Sequence, residues 1–127
     1  STAKGVESFH KNVMKQLGQV DVLINNVGAI LKLANFFDIT DQDWEDSFQI
    51  NLMSAVRLSR HCIPSLKQSK CARIINISSI AAASPQEVFP HYSAMKAGLS
   101  NLPVSLARCG VNLGKTKHSM PDLISNR

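Results

Sequence analysis

Tyr92 and Lys96 stand four residues apart. On a helix that spacing puts two side chains on one face, about 6 Å from each other. A phenol titrates near 10 in water, too high for a ready base at neutral pH. A neighbouring ammonium favours the phenolate and draws that value down. Moving it by about 3 units takes roughly 4 kcal/mol, within reach of one ammonium and a second cation. A phenol so tuned passes a proton to or from a carbonyl or alcohol oxygen. Ser79 follows a short apolar run, Arg-Ile-Ile-Asn-Ile-Ser, that reads as a buried strand. In an open parallel sheet, ligands bind outside the carboxyl ends of the strands. The Ser79 hydroxyl is therefore placed to hold the same oxygen and polarise it.

Each of these residues has a plainer reading when taken alone. A tyrosine and a lysine four apart usually make a surface contact. A serine after a strand usually caps a turn, and the pair Asn25-Asn26 before Gly28 usually marks one. Asn51, inside a helical stretch, is usually a tolerated polar residue. Their order and spacing carry the argument.

The elements that must position them read as helix, strand, helix, strand, helix. Val6, Phe9, Val13 and Leu17 recur at helical spacing, and Gly18 stops the helix. Residues 20–25 read as a short buried strand. Thr40 begins a second helix, with Asp43 in capping-box position. Trp44, Phe48, Leu52, Ala55, Leu58 and Cys62 trace one of its faces, and Pro64 lies near its end. Residues 73–78 are the second strand and residues 92–109 the last helix. Strands separated by long helices imply parallel pairing and a layered α/β fold. Residues 110–127 carry no strong period and read as a loose tail.

Composition sets the frame. The chain has 127 residues, 44% hydrophobic and 18% charged, ordinary for one globular domain. The net charge of +5 is spread along the chain, with a mild cluster at Arg108, Lys115 and Lys117. Nucleic-acid binding needs a concentrated basic face and is not expected. No apolar run approaches the roughly 18 residues of a membrane span, and no secretory signal is visible near Ser1. Three cysteines without a CxxC pair argue for a reducing, cytoplasmic setting. Four histidines without HExxH spacing give no support to a metal site.

Taken together, these segments resemble the short-chain dehydrogenase/reductase family. Its Asn-Asn-Ala-Gly strand end is matched by Asn25-Asn26-Val27-Gly28, its helix asparagine by Asn51, and its strand serine by Ser79. Its Tyr-x-x-x-Lys is matched by Tyr92-Ser93-Ala94... through Lys96, with Tyr92 13 residues after Ser79, the spacing that selects Ser79 over Ser78. The resemblance covers residues 1–109, read as the central part of a Rossmann domain; residues 110–127 form a divergent tail. It implies a Rossmann-like, doubly wound parallel sheet and hydride transfer between NAD or NADP and a small-molecule carbonyl or alcohol. It further implies that Tyr92 is the general acid/base and that Lys96 assists it and binds the nicotinamide ribose. Ser79 would position the substrate oxygen, and Asn51 would hold a water that links Lys96 to solvent. Asn26 and Gly28 would lie against the cofactor. A homodimer or homotetramer of the complete parent is implied as well.

The departures are equally specific. No Gly-rich pyrophosphate turn is present, and the six glycines are scattered. The segments that select NAD over NADP, and the later strand that closes over the nicotinamide, find no counterpart. Pro103 falls inside the last helix, where proline costs about 3 kcal/mol. The resemblance fades after Arg108. The expectation is a truncated sheet with an exposed apolar edge at residues 20–25, in a truncated gene product that is inactive in isolation. The alternative function is a catalytically inactive relic acting only as a dimerisation or interaction module.

Overall fold

The computed structural model describes residues 2–108 and a short strand at Lys117–Ser119. Helix α1, Ala3–Leu17, opens on Thr2, whose side chain accepts from the Gly5 N–H at 3.1 Å. Gly18 closes it with φ at 73°, a region that side-chain-bearing residues rarely enter, and returns its N–H to the Met14 carbonyl. Val13 and Met14 lie on the core, yet no residue of α1 is fully buried.

Strand β1, Val22–Asn25, begins two residues later than expected. The Val20 N–H donates to Ser65 Oγ at 2.8 Å, so this backbone group is held by a helix side chain instead of a sheet partner. Helix α2, Asp41–Phe48, carries the expected capping box between Thr40 and Asp43. The single long helix read from the sequence is interrupted. Gln49–Met53 form a π-helical turn before helix α3, Ser54–Leu66. Apolar spacing is blind to one added residue in a turn, which is why the interruption was not legible.

Strand β2, Arg73–Ile77, pairs in parallel with β1, with Leu23 opposite Ile74 and Asn25 opposite Asn76. Helix α4, Pro90–Arg108, follows. Strand β3, Lys117–Ser119, pairs in parallel with β2 and corrects the reading of that stretch as loose. Three residues are too short to show a period, and strand addition draws on backbone groups that every sequence has. The sheet order is β1-β2-β3. Leu23, Cys62, Leu66 and Ile74 form the buried centre between the sheet and α3.

Pro103 does not break α4; it is buried within it. Its missing N–H frees the Leu99 carbonyl, which accepts from Asn76 Nδ2 of β2 at 3.5 Å, the long end of the hydrogen-bond range. Asn76 Oδ1 in turn accepts from Asn25 Nδ2 at 2.8 Å, and Asn25 Nδ2 also donates to Ser59 Oγ at 3.2 Å. This buried amide chain ties β1, β2, α3 and α4 together. A register slip would leave its members unpaired in the core, at about 1–3 kcal/mol each. No helix among the described residues is long and apolar enough to cross a membrane.

Candidate active site

The site forms where β1 and β2 end. Lys96 is only 3% exposed, and its Nζ donates to the Val27 carbonyl at 3.3 Å and the Ile77 carbonyl at 3.2 Å. One ammonium thus bridges both strand ends. No carboxylate among the described residues pairs with it. Burial pushes its pKa below the ordinary lysine value. An ammonium has three donors, so one N–H is left over for a further acceptor.

The backbone near Gly28 is shaped by this lysine. A Cβ at Gly28 would meet Lys96 Nζ at 2.6 Å and Asn51 Oδ1 at 3.4 Å. A side chain here would displace the ammonium from its place between the strand ends, whereas the backbone dihedral angles make no demand for glycine. Asn51, fully buried in the π-helical turn, holds the next residue. Its Oδ1 accepts from the Ala29 N–H at 2.9 Å, and its Nδ2 donates to the Ala29 carbonyl at 3.0 Å and to Ser47 Oγ at 3.1 Å. Both amide hydrogens are thereby used, and Oδ1 is closed off from solvent. Asn26 stands exposed at the strand tip.

Tyr92 lies one turn before Lys96 on α4, with the Lys96 Nζ 5.8 Å from its ring centre. The ring is half-buried, set edge-on against Phe89 at 5.9 Å. The two consecutive serines part company. Ser78 is buried, donates to the Lys96 carbonyl at 3.1 Å and lies 2.7 Å from Ser100 Oγ. Ser79 is half-exposed and accepts from the Ala81 N–H at 3.2 Å, capping the short 3-10 turn Ile80–Ala82. Its own hydroxyl hydrogen remains available to a ligand. The structure thus brings Lys96 and Asn51 each close to Gly28, and sets Tyr92 beside Lys96.

Three features went unseen in the sequence. The Asn25–Asn76 pair was masked by its turn-like and strand-like surroundings, although an asparagine inside Ile-Ile-Asn-Ile is itself a signal of a buried polar partner. Ser78 was passed over in favour of its neighbour. His91, next to Tyr92, is fully buried with both ring nitrogens unpartnered among the described residues, and the Trp44 ring meets it edge-on at 6.1 Å. Burial lowers its pKa, against a weaker upward pull from Asp43. Among the described residues no group of three or more His, Cys, Asp or Glu could hold a metal.

Residues 1–112 match the family model for short chain dehydrogenases. The chain is 35% identical over 107 residues to an uncharacterized oxidoreductase, YvrD, of Bacillus subtilis, covering 84% of this chain and 40% of that protein. It is 35% identical over 103 residues to the 3-oxoacyl-[acyl-carrier-protein] reductase FabG of Salmonella typhimurium, covering 81% of this chain and 42% of that one. Among solved structures, the ligand-free aldohexose dehydrogenase of Thermoplasma acidophilum superposes with a TM-score of 0.85 at 24% identity, over 94% of this chain and 47% of that one. An NADH-dependent reductase, A1-R', complexed with NAD superposes with a TM-score of 0.87 at 21% identity, over 98% and 55%. Both structures share the Rossmann-type parallel sheet, of which this chain presents a truncated part. The chain spans about two fifths of the length of the two relatives named, and with the family model matching nearly its whole described length, it is a member of the short-chain dehydrogenase/reductase family.

Proposed function

We propose that this chain carries the proton-transfer centre of an NAD(P)-dependent oxidoreductase that interconverts a carbonyl and an alcohol. The observation that carries this reading is the buried Lys96 ammonium, paired with no carboxylate among the described residues and one helical turn from a tyrosine. A desolvated cation stabilises negative charge nearby far more than an exposed one does. That charge would develop on the Tyr92 oxygen as it gives up its proton.

The residues present fit a nicotinamide nucleotide. The leftover Lys96 N–H suits a ribose hydroxyl, and the backbone from Asn26 to Gly28 lies open at the strand tips, where dinucleotides bind in such sheets. When bound, the nicotinamide supplies or accepts the hydride. Tyr92 donates the proton to the nascent alkoxide, or removes it from the alcohol in reverse. The Ser79 hydroxyl holds the same oxygen. Asn51 fixes the Ala29 backbone, and a water admitted beside it would link Lys96 to solvent and replenish the proton. Residues 1–109 then act as the catalytic portion, in the cytoplasm, within a homodimer or homotetramer of the complete protein.

Fluorescence titration with NADH and NADPH tests the reading. Saturable binding that weakens on Lys96→Ala is expected. In protein that turns over a ketone, Tyr92→Phe should lower kcat by about 10²–10⁴-fold. Failure of either nucleotide to bind up to millimolar concentration would overturn the reading in favour of an inactive relic with an interaction role.

A further inference from the structure

The first turn of α4 carries Tyr92 together with a concentration of unmet polar groups. Among the described residues, four buried side-chain polar atoms have no hydrogen-bond partner. Three of them lie on this turn: both ring nitrogens of His91 and Ser93 Oγ. Buried polar groups are nearly always paired, so a cluster of bare ones marks a place where stability is given up for another end.

His91 is completely buried. Its ring meets Trp44 of α2 edge-on at 6.1 Å, and Trp44 meets Phe36 in the same manner at 6.4 Å. The contact with Trp44 ties this turn to α2. Tyr92 moves with His91, because adjacent residues share a rigid peptide plane.

A neutral imidazole suits this pocket and an imidazolium does not. Burial holds the His91 pKa below the usual 6.5, while Asp43 of α2 pulls it up more weakly and Lys32 pushes it down. Lys32 and Thr40 hold the Asp43 carboxyl well below the usual carboxylate range, so it keeps its charge through weak acid. The π-helical turn and the 3-10 turn that also pack on α4 have no ionisable side chain. Arg73 of β2 donates to the Ala72 carbonyl at the start of its strand, and Glu87, ahead of the helix, is exposed. The next charge within α4 is Lys96, already bonded to two carbonyls. The positive end of the α4 dipole further disfavours a cation on the first turn.

Resting on the reading of Tyr92 as acid/base, we infer that His91 is its positioning residue and an acid-sensitive catch. Neutral, it seats the first turn of α4 against Trp44 and holds Tyr92 beside Lys96. Protonated, it leaves the pocket and takes Tyr92 with it, a local opening that leaves the rest of the fold in place. A freed imidazole titrates at about 6.5 and the seated one refuses the proton. The seated state therefore loses stability as pH falls below that value, with one proton taken up per opening.

Trp44 and Tyr92 are the only tryptophan and tyrosine of the chain, so each reports without interference. The 127-residue chain is carried from about pH 7.5 to about pH 4.5, the range in which histidines titrate. Trp44 emission, the Tyr92 ring resonances, the His91 imidazole resonances and far-UV ellipticity are followed together. The Trp44 and Tyr92 signals are expected to change at one common midpoint below 6.5, with uptake of one proton, while ellipticity holds. His91→Phe keeps the ring shape and removes the titration, and should flatten both signals. The His91 resonances of the unsubstituted chain should show the same midpoint, a readout that stands even where the variant fails to fold. Flat signals, a transition that survives in His91→Phe, a Trp44 change that leaves Tyr92 in place, or loss of ellipticity at the same midpoint would each overturn the proposal. NADPH binding at neutral pH separates the two readings. Lost binding with the joint transition intact defeats the oxidoreductase reading alone, and NADPH bound with both signals flat defeats the catch alone.

Discussion

At the carboxyl tips of β1 and β2 nearly every polar group is spoken for: Lys96 by two strand carbonyls, Asn51 by both backbone groups of Ala29, Ser78 by the carbonyl of Lys96 itself. Earlier along β1, Val22 (48% exposed) and Ile24 (57%) are open to solvent, and α1 has no fully buried residue. A cavity of about 310 Å³ opens there between α1, β1 and α3. The first region accepts desolvation in exchange for fixed geometry. The second is held by loose apolar contact that fixes little. Mutations in the two regions should therefore separate catalysis from association.

The largest effect belongs to Lys96→Met. Catalysis should fall by about 10²-fold or more, while stability near neutral pH rises by about 1 kcal/mol, because a lone buried ammonium is replaced by an apolar side chain of similar length. The pH dependence fixes the sign. Burial lowers the folded-state pKa of Lys96 below 10.5. Above that lowered value the unfolded chain still holds the proton and the native one does not, so stability climbs with pH until about 10.5. The variant should lack this rise, and its advantage should vanish at high pH. Urea unfolding across the pH range checks both statements. A variant less stable at every pH would break the contrast.

Asn76→Leu comes next, costing about 2 kcal/mol, because Asn25 Nδ2 loses its shorter partner and the Leu99 carbonyl is left bare beside Pro103. A compensating Asn25→Val in the same chain should recover part of the loss, and a double-mutant cycle by urea unfolding measures the coupling. Additive losses would show that the amide chain does not act as a unit. On the exposed part of β1, Ile24→Lys should change stability by less than about 0.5 kcal/mol and leave NADPH affinity as it was, while suppressing self-association by sedimentation. A large loss of stability would mean that this edge is structural after all.

Much of this arrangement was legible in advance. The capping box at Thr40 and Asp43, the stop at Gly18 and the strand before Ser79 each follow from local rules that the chain obeys. The spacing of Tyr92 and Lys96 could be read because a helix converts it directly into proximity. What escaped depends on atoms distant in sequence. That Gly28 must yield to Lys96, 68 positions later, or that Asn76 relieves a proline in another element, follows only from packing. The π-helical turn was hidden because apolar residues before and after it still fall near the expected face. Strand β3 was hidden because its partner, and not its own side chains, supplies the reason for it.

The grip of Asn51 on Ala29 has an architectural meaning. By answering both the N–H and the carbonyl of one residue, its side-chain amide imitates an adjacent strand for a single rung beyond the end of the sheet. A connecting segment anchored in this way inherits the stiffness of a ladder without belonging to one, so its backbone can serve as a fixed wall for a ligand while the residues on either side remain free to diverge.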